Sequence, residues 1–135
     1  MKFQFLFILI LFFNGCNAQK NTDIASLNYT AQTRGFSLEI HLKNRLLKVG
    51  LKGEQSEKTL TTAQLNKFNK FVGKIDWEQL KSDFNNEAAA VDRAIPAELK
   101  VQLNKAYTFQ FNHVQLPESI GSLINYLVQL SGLEK

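Results

Sequence analysis

Leu27-Asn28-Tyr29-Thr30-Ala31-Gln32-Thr33-Arg34-Gly35-Phe36-Ser37-Leu38-Glu39-Ile40-His41-Leu42-Lys43 is the stretch on which the fold turns. Successive side chains of a β-strand point to opposite faces, so a half-buried strand carries apolar residues at every second position. Leu27, Tyr29 and Ala31 take odd positions, whereas Phe36, Leu38, Ile40 and Leu42 take even ones. The phase therefore changes across Arg34-Gly35. A side-chain period of two does not change phase without an inserted residue, which reads as a bulge or bend at that point.

Working outward, Lys43-Asn44-Arg45 reads as a turn, and Leu47, Val49 and Leu51 as the inner face of a returning strand. Gly53-Glu54-Gln55-Ser56 reads as a loop before a short strand at 57–61. Thr61-Thr62-Ala63-Gln64 has the form of a capping box, in which hydroxyl and amide each satisfy a free backbone donor. Leu65, Phe68, Phe71, Val72 and Ile75 then recur at helical spacing, and Asp76-Trp77-Glu78-Gln79 opens a second, short helix with Trp77 and Leu80 inside. In the second half Ala97, Leu99, Val101 and Leu103 alternate with polar residues, a tight Asn104-Lys105 turn follows, and Tyr107, Phe109 and Phe111 return. Pro117 suits the start of a last helix with the stripe Ile120, Leu123, Ile124, Leu127 and Val128, which Gly132 stops. The expected fold is α+β: a two-layer sandwich with an antiparallel sheet of four to five strands, from two hairpin–helix units (ββαββα), helices on one face. Phe36, Leu38, Ile40, Leu47, Val49, Phe68, Val72, Leu99, Val101, Phe109, Phe111, Leu123, Ile124 and Leu127 are its expected core.

The N-terminal end obeys another logic. Met1-Lys2 is a minimal basic start, and Phe3 to Phe13 is apolar apart from Gln4. As a helix this run spans about 16 Å, roughly half a bilayer core, which suits a signal peptide and not a membrane span. Asn14-Gly15-Cys16 follows directly, and a small residue before a cysteine at this place looks like a lipobox, with Cys16 the lipid-bearing residue. The rival is ordinary cleavage after Ala18, giving a soluble secreted or periplasmic protein. The expected organisation is a signal peptide at 1–19, a tether at 20–26 and a single α+β domain at 27–133. Of 135 residues, 44% are hydrophobic and 21% charged, and Cys16 is the one cysteine, so the domain stands on its core and not on disulfides. The net charge of +4 is spread along the chain without a basic block or aromatic ladder, which argues against nucleic acid.

Arg34, Asp92 and His113 are the candidate site residues. Arg34 sits at the phase change, and Asp92 and His113 flank a strand pair whose outer ends should meet. A carboxylate beside His113 would orient the imidazole and raise its pKa, and Arg34 could hold an anion. No His, Asp and Glu grouping has metal-ligand spacing, and neither a metal nor another cofactor is expected. The solvent side of the last helix, Ser119, Ser122, Asn125, Tyr126 and Gln129, carries little charge and is the expected partner face.

Three elements in order resemble a family of small exported proteins of Bacteroidetes. Thr33-Arg34-Gly35 resembles its Thr-Arg-Gly element, Asp92-Arg93-Ala94-Ile95-Pro96-Ala97 its Asp-Gly-Ala-x-x-Ala element, and Phe111-Asn112-His113-Val114-Gln115-Leu116-Pro117 its Phe-Asp-His-Gly-x-Pro-Pro element. Arg93, Asn112, Val114 and Leu116 depart from those patterns. The resemblance implies export but no defined activity. The resulting expectation is a non-enzymatic, periplasm-facing envelope lipoprotein, held to the membrane by its lipid and binding a protein or small ligand. The alternative is a small hydrolase-like or ligand-modifying enzyme using Arg34, Asp92 and His113.

Overall fold

The computed structural model describes residues 24, 26–84 and 94–133. They form an α+β domain in the order β1 (Ser26–Thr33), β2 (Phe36–Lys43), β3 (Leu46–Leu51), β4 (Glu54–Thr59), α1 (Thr62–Gly73), α2 (Trp77–Phe84), β5 (Pro96–Gln102), β6 (Ala106–Asn112) and α3 (Glu118–Ser131), with a 3-10 turn at His113–Gln115 before α3. The six strands make one open antiparallel sheet in the order β4-β3-β2-β1-β5-β6.

Two expectations need correction. The phase change at Arg34-Gly35 is a hairpin, not a bulge: Thr33 pairs with Phe36, Ala31 with Leu38 and Tyr29 with Ile40. In that register an odd-numbered residue always faces an even-numbered one, so both strands keep their apolar residues on one face. The strand count is six, above the four to five expected, because the first unit is a four-stranded meander and not a hairpin. Lys52 and Gly53, with φ of 49° and 89°, make the two-residue turn into β4. Positive φ at both central residues gives a turn whose twist matches the strands it joins. β4 then runs as Glu-Gln-Ser-Glu-Lys-Thr, a strand with no apolar residue.

The helix boundaries follow the sequence closely. Thr61 caps α1 in a reciprocal box, its Oγ1 accepting from the Gln64 N–H while Gln64 Oε1 accepts from the Thr61 N–H. Asp76 Oδ1 accepts the Gln79 N–H at 3.0 Å, but the Gln79 side chain donates onward to Asp83. Gly132, at φ 74°, ends α3 in the left-handed conformation. The β5–β6 turn holds three residues, Leu103 to Lys105, one more than expected, since Gln102 pairs with Ala106.

Alternate residues of β1, β2, β3, β5 and β6 are buried, from Leu27, Tyr29 and Ala31 to Tyr107, Phe109 and Phe111, with Phe36 and Leu51 half-buried at strand ends. These side chains share one core with Phe68 and Val72 of α1, Trp77 and Leu80 of α2, and Ile120, Leu123, Ile124 and Leu127 of α3. α3 packs on α1, β3 and β4, and α2 packs on β6. Of the expected core only Phe36 is half-buried, because it stands at the hairpin end. Ile24 already packs on this core ahead of β1.

Candidate functional site

Antiparallel pairing collects distant parts of the chain at one end of the sheet. The Arg34-Gly35 turn closes β1 and β2 there, β5 begins there at Pro96, and β6 ends there at Asn112. Because β5 inserts beside β1, residues about eighty positions apart become neighbours. The His113 N–H donates to the Ile95 carbonyl at 2.9 Å, and the Asn112 Oδ1 accepts from the N–H groups of Ile95 (3.1 Å) and Val114 (3.2 Å). The Asn112 Nδ2 is buried without a partner among the described residues.

The imidazole of His113 lies between two aromatic rings. Its Nδ1 is 2.6 Å from the hydroxyl of Tyr29, and its ring centroid is 5.0 Å from that of Phe36. Tyr29 is fully buried on the inner face of β1, and that burial drives its ionisation far above the ordinary phenol range. Burial also lowers the His113 pKa, since the charged imidazolium is the form that loses water. At neutral pH both groups are uncharged. The contact is then a polar tie between β1 and the turn after β6, closed either by the phenol O–H to Nδ1 or by Nδ1–H to the phenol oxygen.

Of the three residues singled out from sequence, two fall within the described structure. His113 is half-buried at this sheet end, and Arg34 is exposed in the turn of the same end. Asp92 lies outside the described residues, as does Cys16. The carboxylate contact expected from Asp92 lies outside the described residues; within them the ring partner of His113 is Tyr29, and burial lowers its pKa. Tyr29 is the residue that sequence reasoning missed, because at an odd position of β1 it looks like any other inner-face aromatic.

Elsewhere, Ser122, Asn125 and Gln129 are exposed on α3, and Ser119 is half-buried. Tyr126 does not belong to that face. Its ring is buried against Phe71 (centroids 5.3 Å apart) beneath the Lys67 ammonium, and its hydroxyl donates to the Gln64 carbonyl at 3.2 Å. A groove of 500 Å³ between α1 and α3 is lined by Phe71, Lys74, Glu118, Ser119 and Ser122. At the opposite end of the sheet a cleft of 640 Å³ includes Trp77, Glu78 and Tyr107. There the Tyr107 hydroxyl donates to Glu78 Oε1 at 2.8 Å, and this bond, with Lys105 beside it, holds the Glu78 carboxyl below its usual pKa. Among the described residues no group of three or more His, Cys, Asp or Glu is placed to hold a metal ion, and no helix is long and apolar enough to cross a membrane. No family model, curated protein or solved structure matches the chain.

Proposed function

We propose that this chain is an exported cell-envelope lipoprotein whose domain engages a protein partner and catalyses no reaction of its own. The observation that carries the reading is the apolar run Phe3–Phe13 followed at once by Asn14-Gly15-Cys16, with the chain's one cysteine where an acyl anchor would be attached. A short polar stretch, Asn17 to Asp23, separates that cysteine from Ile24 and β1. The domain beyond it is a two-layer scaffold, its helices on one face of the sheet and a polar face opposite. The partner meets the outer row of α3, Ser119, Ser122, Asn125 and Gln129, beside the groove between α1 and α3. The Nδ1 of His113 is occupied by Tyr29, which ties the ring into the fold.

The mature N-terminus decides the anchoring. Intact-mass and peptide mass spectrometry of the protein recovered from its native envelope should find acylated Cys16 as the first residue, and Cys16→Ser should move the protein out of the detergent phase. A mature chain that starts at Gln19 without acyl groups would sink the lipoprotein reading.

A further inference from the structure

We propose that β6 pairs with β6 of a second copy of this chain, joining two six-stranded sheets edge to edge about a two-fold axis. Among the described residues β6 has a strand on one side only, β5. In an antiparallel ladder, residue pairs that exchange backbone hydrogen bonds alternate with pairs that do not. The Leu103 N–H donates to the Lys105 carbonyl and the His113 N–H to the Ile95 carbonyl, which places the odd-numbered residues in the bonded set with β5. The N–H and C=O groups of Ala106, Thr108 and Gln110 are therefore directed away from β5, along the edge.

The occupant follows from what the edge carries. β6 reads Ala-Tyr-Thr-Phe-Gln-Phe-Asn, with no charge, no proline and no glycine. Exposed edges of this composition invite strand addition, and proteins ordinarily blunt them with charges, bulges or proline. An antiparallel alignment of β6 with itself, centred on Phe109, sets Thr108 opposite Gln110 and Ala106 opposite Asn112. Those are residues of the outward-directed set, so the register can form a full ladder. Even positions face even positions, hence the buried aromatic face meets its own kind, with Phe109 beside Phe109 and Tyr107 beside Phe111. No like charges are brought together. The same surface serves both copies, as a closed two-fold interface requires.

The other edge makes the contrast. In β4 the Leu60 N–H donates to the Arg45 carbonyl, so the even residues bond to β3 and Gln55, Glu57 and Thr59 are directed outward. That strand carries Glu54, Glu57 and Lys58, charges of the kind that blunt an exposed edge. β6 carries no such charge.

Two measurements on the full chain in detergent test this. Sedimentation should show a concentration-dependent dimer, and Thr108→Pro or Gln110→Pro should give a folded monomer, because each proline removes a donor that β5 does not use. In the wild type, the amides of Thr108 and Gln110 should exchange with deuterium more slowly as protein concentration rises, by roughly tenfold or more, while the Phe109 and Phe111 amides stay protected throughout. A wild type that is monomeric at all concentrations overturns the proposal, as does a dimer that survives both prolines. Edge amides protected equally in dilute monomer would also overturn it, by showing that something other than a second copy covers β6. If the proline variants fail to fold, the concentration dependence of the two wild-type amides decides alone.

Discussion

The sheet has two edges, and they are built by opposite rules. β6 is fastened through its side chains: Tyr107, Phe109 and Phe111 stack in sequence along the core, Trp77 of α2 packs on the first two, and His113 ties the strand's end to Tyr29. β4 contributes nothing apolar. Its inward-facing Ser56 and Lys58 instead donate to the carbonyls of Ser131 and Leu130 at the end of α3. The last carbonyls of a helix lack intrahelical donors, so a polar strand can be docked by completing a helix terminus. One edge rests on burial, the other on hydrogen bonds at a helix end.

The largest effect should appear at β6. Phe109 is buried among three rings, and Phe109→Ala removes that packing and leaves a cavity, at a cost of about 3–5 kcal/mol. That is a large share of the roughly 5–15 kcal/mol that stabilises an ordinary domain. Urea unfolding of the variant measures it. A loss no greater than that of a change in β4 would erase the distinction between the edges.

Acid should loosen the same side of the molecule. His113 has a pKa near 6.5 when unfolded and a lower one when folded, because burial disfavours the charged ring. The unfolded state thus binds the proton more readily. The contribution is fully present above about pH 6.5 and is lost as pH falls through the folded value. Wild type and His113→Gln, compared by urea midpoint from about pH 7.5 down to about pH 5, should therefore converge in acid. Parallel curves across that range would show that the imidazole is not desolvated in the folded chain.

What the sequence disclosed divides along this same line. Strands with apolar residues on their inner face are legible: β1, β2, β3, β5 and β6 bury most of the residues that alternation names, with Phe36, Leu51 and Leu103 half-buried at strand ends, and the Thr61–Gln64 box and the Gly132 stop fall where the local chemistry puts them. β4 is only half legible, with Gly53 to Ser56 reading as loop and 57–61 as a short strand, because its inner positions are Glu54, Ser56 and Lys58, and the partners that hold it, at the end of α3, lie about seventy residues away. The Arg34-Gly35 phase change was visible, but parity alone does not separate a bulge from a two-residue hairpin; pairing does. The neighbour of β1 on its second side was not legible either, and it is the insertion of β5 there that brings His113 to Tyr29. Local periodicity reports which face is wet. It does not report which distant strand shares that face.

The smallest effect belongs to β4. The Ser56 hydroxyl donates to the Ser131 carbonyl at 2.9 Å from a half-buried position, and a single neutral hydrogen bond of this kind contributes about 0.5–1.5 kcal/mol. Ser56→Ala should lose that amount and no more, since the methyl leaves no cavity and the carbonyl sits at a helix end within reach of water. The Lys58 ammonium, exposed and 3.5 Å from the Leu130 carbonyl, adds a weaker attraction to the negative end of α3. Lys58→Gln should therefore matter only in dilute buffer, and its effect should vanish in high salt, where the Debye length falls to about 3 Å. Ser56→Ala should be indifferent to salt. If instead Ser56→Ala proves as costly as Phe109→Ala, the end of α3 depends on β4 far more than one hydrogen bond explains, and the two edges are fastened with equal strength after all.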